Sequence, residues 1–189
     1  MKLFQGLVFA CAVGALQAAY AADALPVVTF ETTKGNIDIE LYPAEAPKTV
    51  ENFLAYVKAG QYDGTIFHRV IPDFMIQGGG YTPDMTEKDT RAAIQNEADN
   101  GLKNERGTIA MARTGDPHSA TAQFFVNVKD NAFLDFRSKD PQGWGYAVFG
   151  KVVSGMDTVD AIVAAPTTSF GPMGDVPVDS ILIKSAKVK

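Results

Sequence analysis

The chain has 189 residues, 46% of them hydrophobic and 21% charged, the balance of an ordinary globular domain with a core of its own. Its formal net charge of −5 speaks against a nucleic-acid binder, which needs a basic face for phosphates. The one cysteine, Cys11, lies close to the N-terminus, so neither disulfides nor a thiol nucleophile are expected in the body of the protein.

Met1-Lys2, an apolar run from Leu3 to Leu16 and small residues ending in Ala19-Tyr20-Ala21 have the anatomy of a secretory leader, with cleavage expected after Ala21. Residues 1–21 are therefore read as a signal peptide and 22–189 as one domain. The run is short and Ala/Gly-rich for a membrane span, and no later stretch is long enough to be one. Phe9, two residues before Cys11, argues against a lipoprotein signal.

Residues Val27 to Thr33 and Ile37 to Tyr42 alternate as strands do, around a Thr33-Lys34-Gly35-Asn36 turn in which Gly35 is free to take positive φ. Pro43 to Pro47 leads into a helix whose Val50, Phe53, Leu54 and Val57 fall at i, i+3, i+4 and i+7. Pro47 suits its first turn, Lys58 its last, and Gly60 its stop. Two further strands flank a Pro72-Asp73 turn. Residues 81–102 are mostly polar and read as a long surface excursion.

Thr108 to Ala112 and Gln123 to Val128 are strands separated by a loop at Gly115-Asp116-Pro117. In the second, period 2 puts Gln123, Phe125 and Asn127 on one face and Phe124, Val126 and Val128 on the other, assigned to the core. A loop through Phe133, Leu134 and Trp144 precedes a strand from Tyr146 to Val153, a short helix over Met156 to Val163 and a last strand from Ser180 to Val188. Many short strands with two helices and no βαβ alternation imply a mainly β fold, an antiparallel sheet closed into a barrel whose open ends helices can plug.

The densest chemistry lies between Phe67 and Gly80. Period 2 predicts that Met75 and Gln77 share a face and that Arg69 shares one with Phe67 and Ile71. Arginine keeps its proton and offers five donors in a rigid fork, so among aromatics it can grip or polarise an amide but cannot act as a base. Two histidines, His68 and His118, without metal-ligand spacing give no reason to expect a metal. No Gly-x-Ser-x-Gly elbow supports a serine hydrolase, and Gly78-Gly79-Gly80 lacks the partners of a phosphate loop.

A fixed cation, amides and apolar walls without a nucleophile or base suit a reaction that breaks no covalent bond, and rotation about an X-Pro peptide is one. Its barrier of about 18 to 20 kcal/mol comes from amide resonance. As the nitrogen pyramidalises it regains a lone pair, so a donor aimed at it binds the twisted state better than the planar one.

Phe67-His68-Arg69-Val70-Ile71-Pro72, Phe74-Met75-x-Gln77-Gly78-Gly79, Ile109-Ala110-Met111-Ala112, Gln123-Phe124-Phe125, Phe133-Leu134 and Val148-Phe149-Gly150-Lys151-Val152 together resemble the cyclophilins, the cyclosporin-binding peptidyl-prolyl isomerases. The resemblance runs from about Val27 to Val188 and, with the leader, points to the bacterial periplasmic members. It implies an eight-stranded antiparallel β-barrel with a helix at each end, no cofactor, and a monomer acting on proline-containing polypeptides and folding intermediates. By resemblance Arg69 is the catalytic arginine, assisted by Gln77 on substrate backbone and Gln123 on the polar side. Phe74, Met75, Phe125 and Leu134 form the proline pocket, with Ala112, Arg113 and Thr114 running beside the peptide.

Three positions depart from the eukaryotic pattern. Phe133 replaces a tryptophan whose N–H bonds cyclosporin, so a weak response to cyclosporin-type inhibitors is expected. Tyr146 replaces a pocket histidine. Arg113 replaces an asparagine at a position expected to act through its backbone. The alternative from another class is a proline-peptide binding module or holdase chaperone that gains nothing from turnover.

Overall fold

Strands β1 (Val27–Thr32) and β2 (Gly35–Leu41) form the first hairpin, with Thr32 paired to Gly35 across a two-residue turn. The turn is held locally: Thr32 Oγ1 donates to the Gly35 carbonyl and accepts from the Lys34 N–H. Gly35 sits at φ +134, and a Cβ there would come within 2.6 Å of Thr158 Oγ1, so this glycine answers both to the turn and to a neighbouring helix. The computed structural model describes residues 24–189; the leader expected at 1–21 lies outside the described residues.

Helix α1 (Pro47–Lys58) follows, then β3 (Thr65–Ile71), β4 (Met75–Gly78), β5 (Thr108–Met111), β6 (Phe124–Asn127), β7 (Val148–Ser154), α2 (Met156–Val163), β8 (Thr167–Phe170), β9 (Met173–Pro177) and β10 (Leu182–Val188). Eight strands close into an antiparallel barrel in the order β1-β10-β3-β4-β6-β5-β7-β2, with β2 returning to β1. Closure pairs every barrel strand on both sides and leaves no edge to template aggregation. The family's eight strands and two helices are thus present. The β8–β9 hairpin stands outside the barrel and was not foreseen, since 164–179 carries no long apolar alternation; it packs against β3.

The interior is aromatic. Phe30 stacks on Phe124 at 5.1 Å between centroids, and Phe53 from α1 meets Phe149 at 5.0 Å. The expected stripe delivers Val50, Phe53 and Val57 into this core, with Leu54 at its margin and Tyr56 added. Tyr62 is fully buried and its hydroxyl donates to the Ala122 carbonyl at 2.9 Å, which satisfies the one polar atom burial would penalise.

Helix α1 has Ala46 at its N-cap and no local side chain to serve the first N–H groups. Glu97 supplies that function from the long excursion: its carboxylate accepts from the Lys48 N–H at 3.1 Å, the Thr49 N–H at 2.8 Å and the Thr49 hydroxyl at 2.8 Å. A carboxylate there also suits the helix dipole. Tyr56 in turn accepts from the Arg91 N–H at 2.7 Å, so the excursion is clamped to α1 at two points.

Candidate active site

On four neighbouring strands one outward-facing position each is apolar. Met75 of β4, Phe125 of β6, Ala110 of β5 and Val148 of β7 form a second buried cluster with Leu134, separate from the barrel interior. Alternation explains it: Ile76, Phe124, Val126 and Ile109 on the same strands point inward. The sequence reading of Phe125 opposite Phe124 corresponds to this division.

Above the cluster lies a cleft of about 110 Å³ lined by Arg69, Phe74, Met75, Gln77, Ala112, Arg113, Phe125, Leu134 and Tyr146. These are nine of the twelve residues singled out from the sequence. The other three lie next to the cleft. Thr114 and Gln123 border an adjoining depression with Glu87 and Ser119, and that depression shares Gln77 with the cleft. Phe133 stands at the rim, 67% exposed, its ring 5.6 Å from that of Phe74.

Arg69 faces the cleft for a reason period 2 does not provide. The β3–β4 register passes from Phe67 opposite Gly78 to Arg69 opposite Gln77, so His68 is the extra residue of a bulge. Phe67 and Val70 both point into the core, while Arg69 and Ile71 turn outward. Arg69 and Ile71 share a face as expected; the expectation that Phe67 joins them is corrected by the bulge, which breaks the alternation between 67 and 69. The following turn places Pro72 second and Asp73 third with φ +58, the geometry that lets β4 return beside β3.

Gln77 donates through Nε2 to Gln123 Oε1 at 2.9 Å, which orients both amides and leaves the Gln77 oxygen outside that bond. Arg113 brings more than backbone to the cleft. Its side chain enters the site: the guanidinium carbon lies 4.5 Å from the Tyr146 ring centroid, Nε donates to the Gly145 carbonyl at 2.9 Å and Nη1 to the Thr114 carbonyl at 2.9 Å. An asparagine could not span these partners, so the position contributes a cation-π wall as well as backbone. Tyr146 is fixed from its other side by Phe125, edge-on at 5.6 Å.

Beneath the cleft sits a polar network that sequence reasoning missed. Asn127 is fully buried and its Nδ2 donates to Thr108 Oγ1 at 2.9 Å and Asn104 Oδ1 at 3.2 Å. Asn131 donates to Asn127 Oδ1 and to the Phe74 carbonyl, each at 2.8 Å, and Asn104 donates to the carbonyls of Leu134 at 3.2 Å and Tyr146 at 3.4 Å. Asn104 and Asn131 thereby tie down the backbone of three wall residues, and Asn127 links the two. The signal was the predicted face of Gln123, Phe125 and Asn127: a polar residue continuing an apolar pocket face needs buried partners.

Trp144, which sequence alone did not place, lies away from the cleft. It is held edge-on by His118 at 4.9 Å and Phe136 at 5.6 Å, and it pins the loop carrying Tyr146. His68 is 5% exposed and edge-on to Tyr81 at 4.7 Å. Burial, and then the charge of Arg69, bring its pKa down to about 4, with a hydrogen bond to the Ile66 backbone only partly offsetting them. The imidazole beside Arg69 is therefore neutral at physiological pH.

Residues 27–188 match the family model "Cyclophilin type peptidyl-prolyl cis-trans isomerase/CLD". The chain belongs to the cyclophilin-type peptidyl-prolyl cis-trans isomerases. It is 66% identical over 164 residues to a peptidyl-prolyl cis-trans isomerase of Streptomyces antibioticus, covering 87% of this chain and 99% of the relative. Peptidyl-prolyl cis-trans isomerase B of Escherichia coli (strain K12) is 56% identical over 162 residues, covering 86% and 99%. Among solved structures, a cyclophilin-type isomerase of Cryptosporidium parvum crystallised in the presence of the dipeptide Ala-Pro superposes with a TM-score of 0.74 at 30% identity, covering 86% of this chain and 98% of that one. The cyclophilin barrel and the isomerase class therefore rest on sequence and on fold alike.

Proposed function

We propose that the cleft isomerises X-Pro bonds by electrostatic stabilisation of the twisted amide, with Arg69 as the acting group. The observation that carries this reading is the lining itself: the guanidiniums of Arg69 and Arg113 and the amide of Gln77 on an apolar floor, with no serine, cysteine, histidine or carboxylate among the residues that line the cleft. Such a set binds and polarises; its one hydroxyl, that of Tyr146, has no histidine or carboxylate in the lining to activate it as a nucleophile.

The proline ring would sit on Met75, Phe125 and Leu134, with Phe74 and Tyr146 as walls. Gln77, oriented by Gln123, would hold substrate backbone, and Ala112, Arg113 and Thr114 would flank the chain as it leaves. With the ring and flanking backbone fixed, the Arg69 guanidinium would meet the imide nitrogen only as it pyramidalises, which is what lowers a barrier instead of merely binding substrate. Millisecond turnover requires about 6 to 7 kcal/mol over the uncatalysed step. One charge-assisted hydrogen bond supplies about 1.5 to 3 kcal/mol, and positioning by the walls must supply the remainder.

The substrates in this reading are proline-containing, unfolded or folding polypeptides outside the cytoplasm, reached through the leader read at residues 1–21. A protein recovered from the extracytoplasmic fraction with Ala22 as its first residue supports this; recovery only of uncleaved cytoplasmic chain contradicts it. A separate holding activity toward aggregation-prone chains would survive loss of Arg69, which distinguishes it from catalysis. The absence of an indole at Phe133 would leave cyclosporin-type inhibitors with one donor fewer.

The test is the cis-to-trans rate of a short X-Pro peptide with wild type, Arg69→Ala and Arg69→Lys, folding checked by circular dichroism. Arg69→Ala is expected to lose at least tenfold in kcat/KM, and Arg69→Lys to recover only part, because lysine lacks the fork. Wild-type rates in Arg69→Ala would remove Arg69 from the mechanism.

A further inference from the structure

A guanidinium that acts by direction must be held in direction, and the barrel alone does not hold Arg69. Among the described residues its one ion-pair partner is Asp175, whose Oδ2 lies 3.8 Å from Arg69 Nε. Asp175 belongs to β9, in the hairpin that stands outside the barrel and packs against β3. Its backbone is left-handed at φ +62, a conformation that costs most side chains and that Asp and Asn tolerate best.

Arg69 and Gln77 together border two hollows. On one side lies the cleft of the proposed chemistry. On the other lies a groove of about 410 Å³ between the barrel and the hairpin, bordered by His68, Tyr81, Met173 and Asp175. The carboxylate borders the groove and is absent from the cleft lining, and it meets the guanidinium at Nε. At 3.8 Å that contact is an ion pair and not a hydrogen bond, made on the side of the guanidinium nearest the side-chain stem, so it biases the direction of the fork and leaves its terminal N–H groups free to act on substrate.

We infer that Asp175 is a positioning residue for Arg69, and that the β8–β9 hairpin belongs to the catalytic apparatus because it carries that carboxylate. The inference rests on the proposed role of Arg69. Both side chains are about half exposed, at 45% and 47%, so the pair is one that salt can screen. The Debye length shrinks from about 10 Å at 0.1 M to about 3 Å at 1 M, below the separation of the two groups. Its effect on turnover should therefore be modest and should disappear with ionic strength.

The experiment measures kcat and KM for an uncharged X-Pro peptide with wild type and Asp175→Asn, in 0.05 M and 1 M NaCl, each also in an Arg69→Ala background. Asparagine keeps the shape and tolerates the same backbone, so the fold is retained. The expected result is a kcat lower by about three- to fivefold at low salt with KM unchanged, converging on wild type at 1 M and showing no effect where Arg69 is already absent. Wild-type kcat for Asp175→Asn at low salt, with Arg69→Ala inactive, overturns the inference and leaves the proposed function standing. A loss that persists at 1 M salt, or in the Arg69→Ala background, also overturns it, because the hairpin would then act by packing. If Arg69→Ala itself retains activity, the proposed function fails and this inference with it.

Discussion

The side-chain amide of Asn131 donates to the backbone carbonyl of Phe74 at 2.8 Å, joining a loop after β6 to the turn before β4 beneath the cleft. Asn131 is 2% exposed and also donates to Asn127 Oδ1. Asn131→Ala leaves buried Asn127 Oδ1 without its donor, at about 1 to 3 kcal/mol for an unsatisfied group, and leaves the Phe74 carbonyl with the Val128 N–H as its one remaining donor. Urea unfolding should show a loss in that range. Because Phe74 is a wall of the proposed proline pocket, kcat/KM should fall severalfold in protein that is still folded. A variant unchanged in both would show that the network neither braces the pocket nor stabilises the fold.

Adjacent glycines separate stability from function. Gly79 lies at φ +86, and a Cβ there would stand 2.8 Å from a Phe124 ring carbon and 2.9 Å from one of Tyr62, both locked in the core. Gly79→Ala should cost about 2 to 5 kcal/mol, from overpacking together with left-handed strain. Gly80 has no positive φ, and the atoms its Cβ would meet first, at 2.6 Å, belong to the half-buried Gln123 side chain, which can swing away. Gly80→Ala should stay within about 1 kcal/mol of wild type in chemical denaturation. By displacing Gln123 it breaks the hydrogen bond to Gln77, and kcat/KM should fall by about two- to tenfold. Full activity in Gly80→Ala would exclude the paired amides from turnover.

Alternation and helical spacing were enough to locate the barrel strands, the α1 stripe and the opposition of Phe124 to Phe125, because between bulges those elements follow single periods. The bulge at His68 was not legible: one inserted residue reverses parity without marking the sequence, and Phe67 was misassigned to the face of Arg69 for that reason. The β8–β9 hairpin was missed because its residues are largely exposed, so burial leaves no apolar pattern to read. Asp175 reaches Arg69, and Glu97 reaches α1, only through chain closure across many residues, which local spacing does not encode. The asparagine network was half visible, since Asn127 shared a face with Phe125 while its partners Asn104 and Asn131 lay in loops.

Phe133 at the cleft rim has room for a larger ring, being 67% exposed with only Phe74 recorded beside it as an aromatic neighbour. Phe133→Trp adds one N–H donor without crowding the floor. If the missing indole is what weakens a cyclosporin-type inhibitor, the variant should bind it about two- to tenfold more tightly, the worth of one hydrogen bond. Its kcat/KM for a short X-Pro peptide should stay within about twofold of wild type. Inhibition titrations of the two proteins decide the matter, and equal constants would show that the indole is not the determinant.

His68 gives stability a pH dependence that turnover should lack. Its pKa is about 4 in the folded protein against 6.5 for the ordinary side chain, lowered first by burial and then by Arg69. Unfolding therefore takes up a proton between those values. The contribution is fully present above pH 6.5, declines as pH falls from 6.5 toward 4 and is exhausted below, amounting to about 3 kcal/mol at most. His68→Phe removes the titration together with a buried Nδ1 that has no hydrogen-bond partner, and a ring is kept against Tyr81. Urea midpoints measured from pH 4.5 to 7.5 should fall less steeply in His68→Phe than in wild type, by about one proton of slope, while the two proteins differ little at pH 7. Because arginine keeps its proton throughout this range, the isomerisation rate should remain flat from about pH 6 to 9 while protein stays folded. Parallel stability slopes in the two proteins would show that His68 is not the buried base, and a bell-shaped rate profile centred near pH 7 would require a titrating group in the reaction that the cleft lining does not contain.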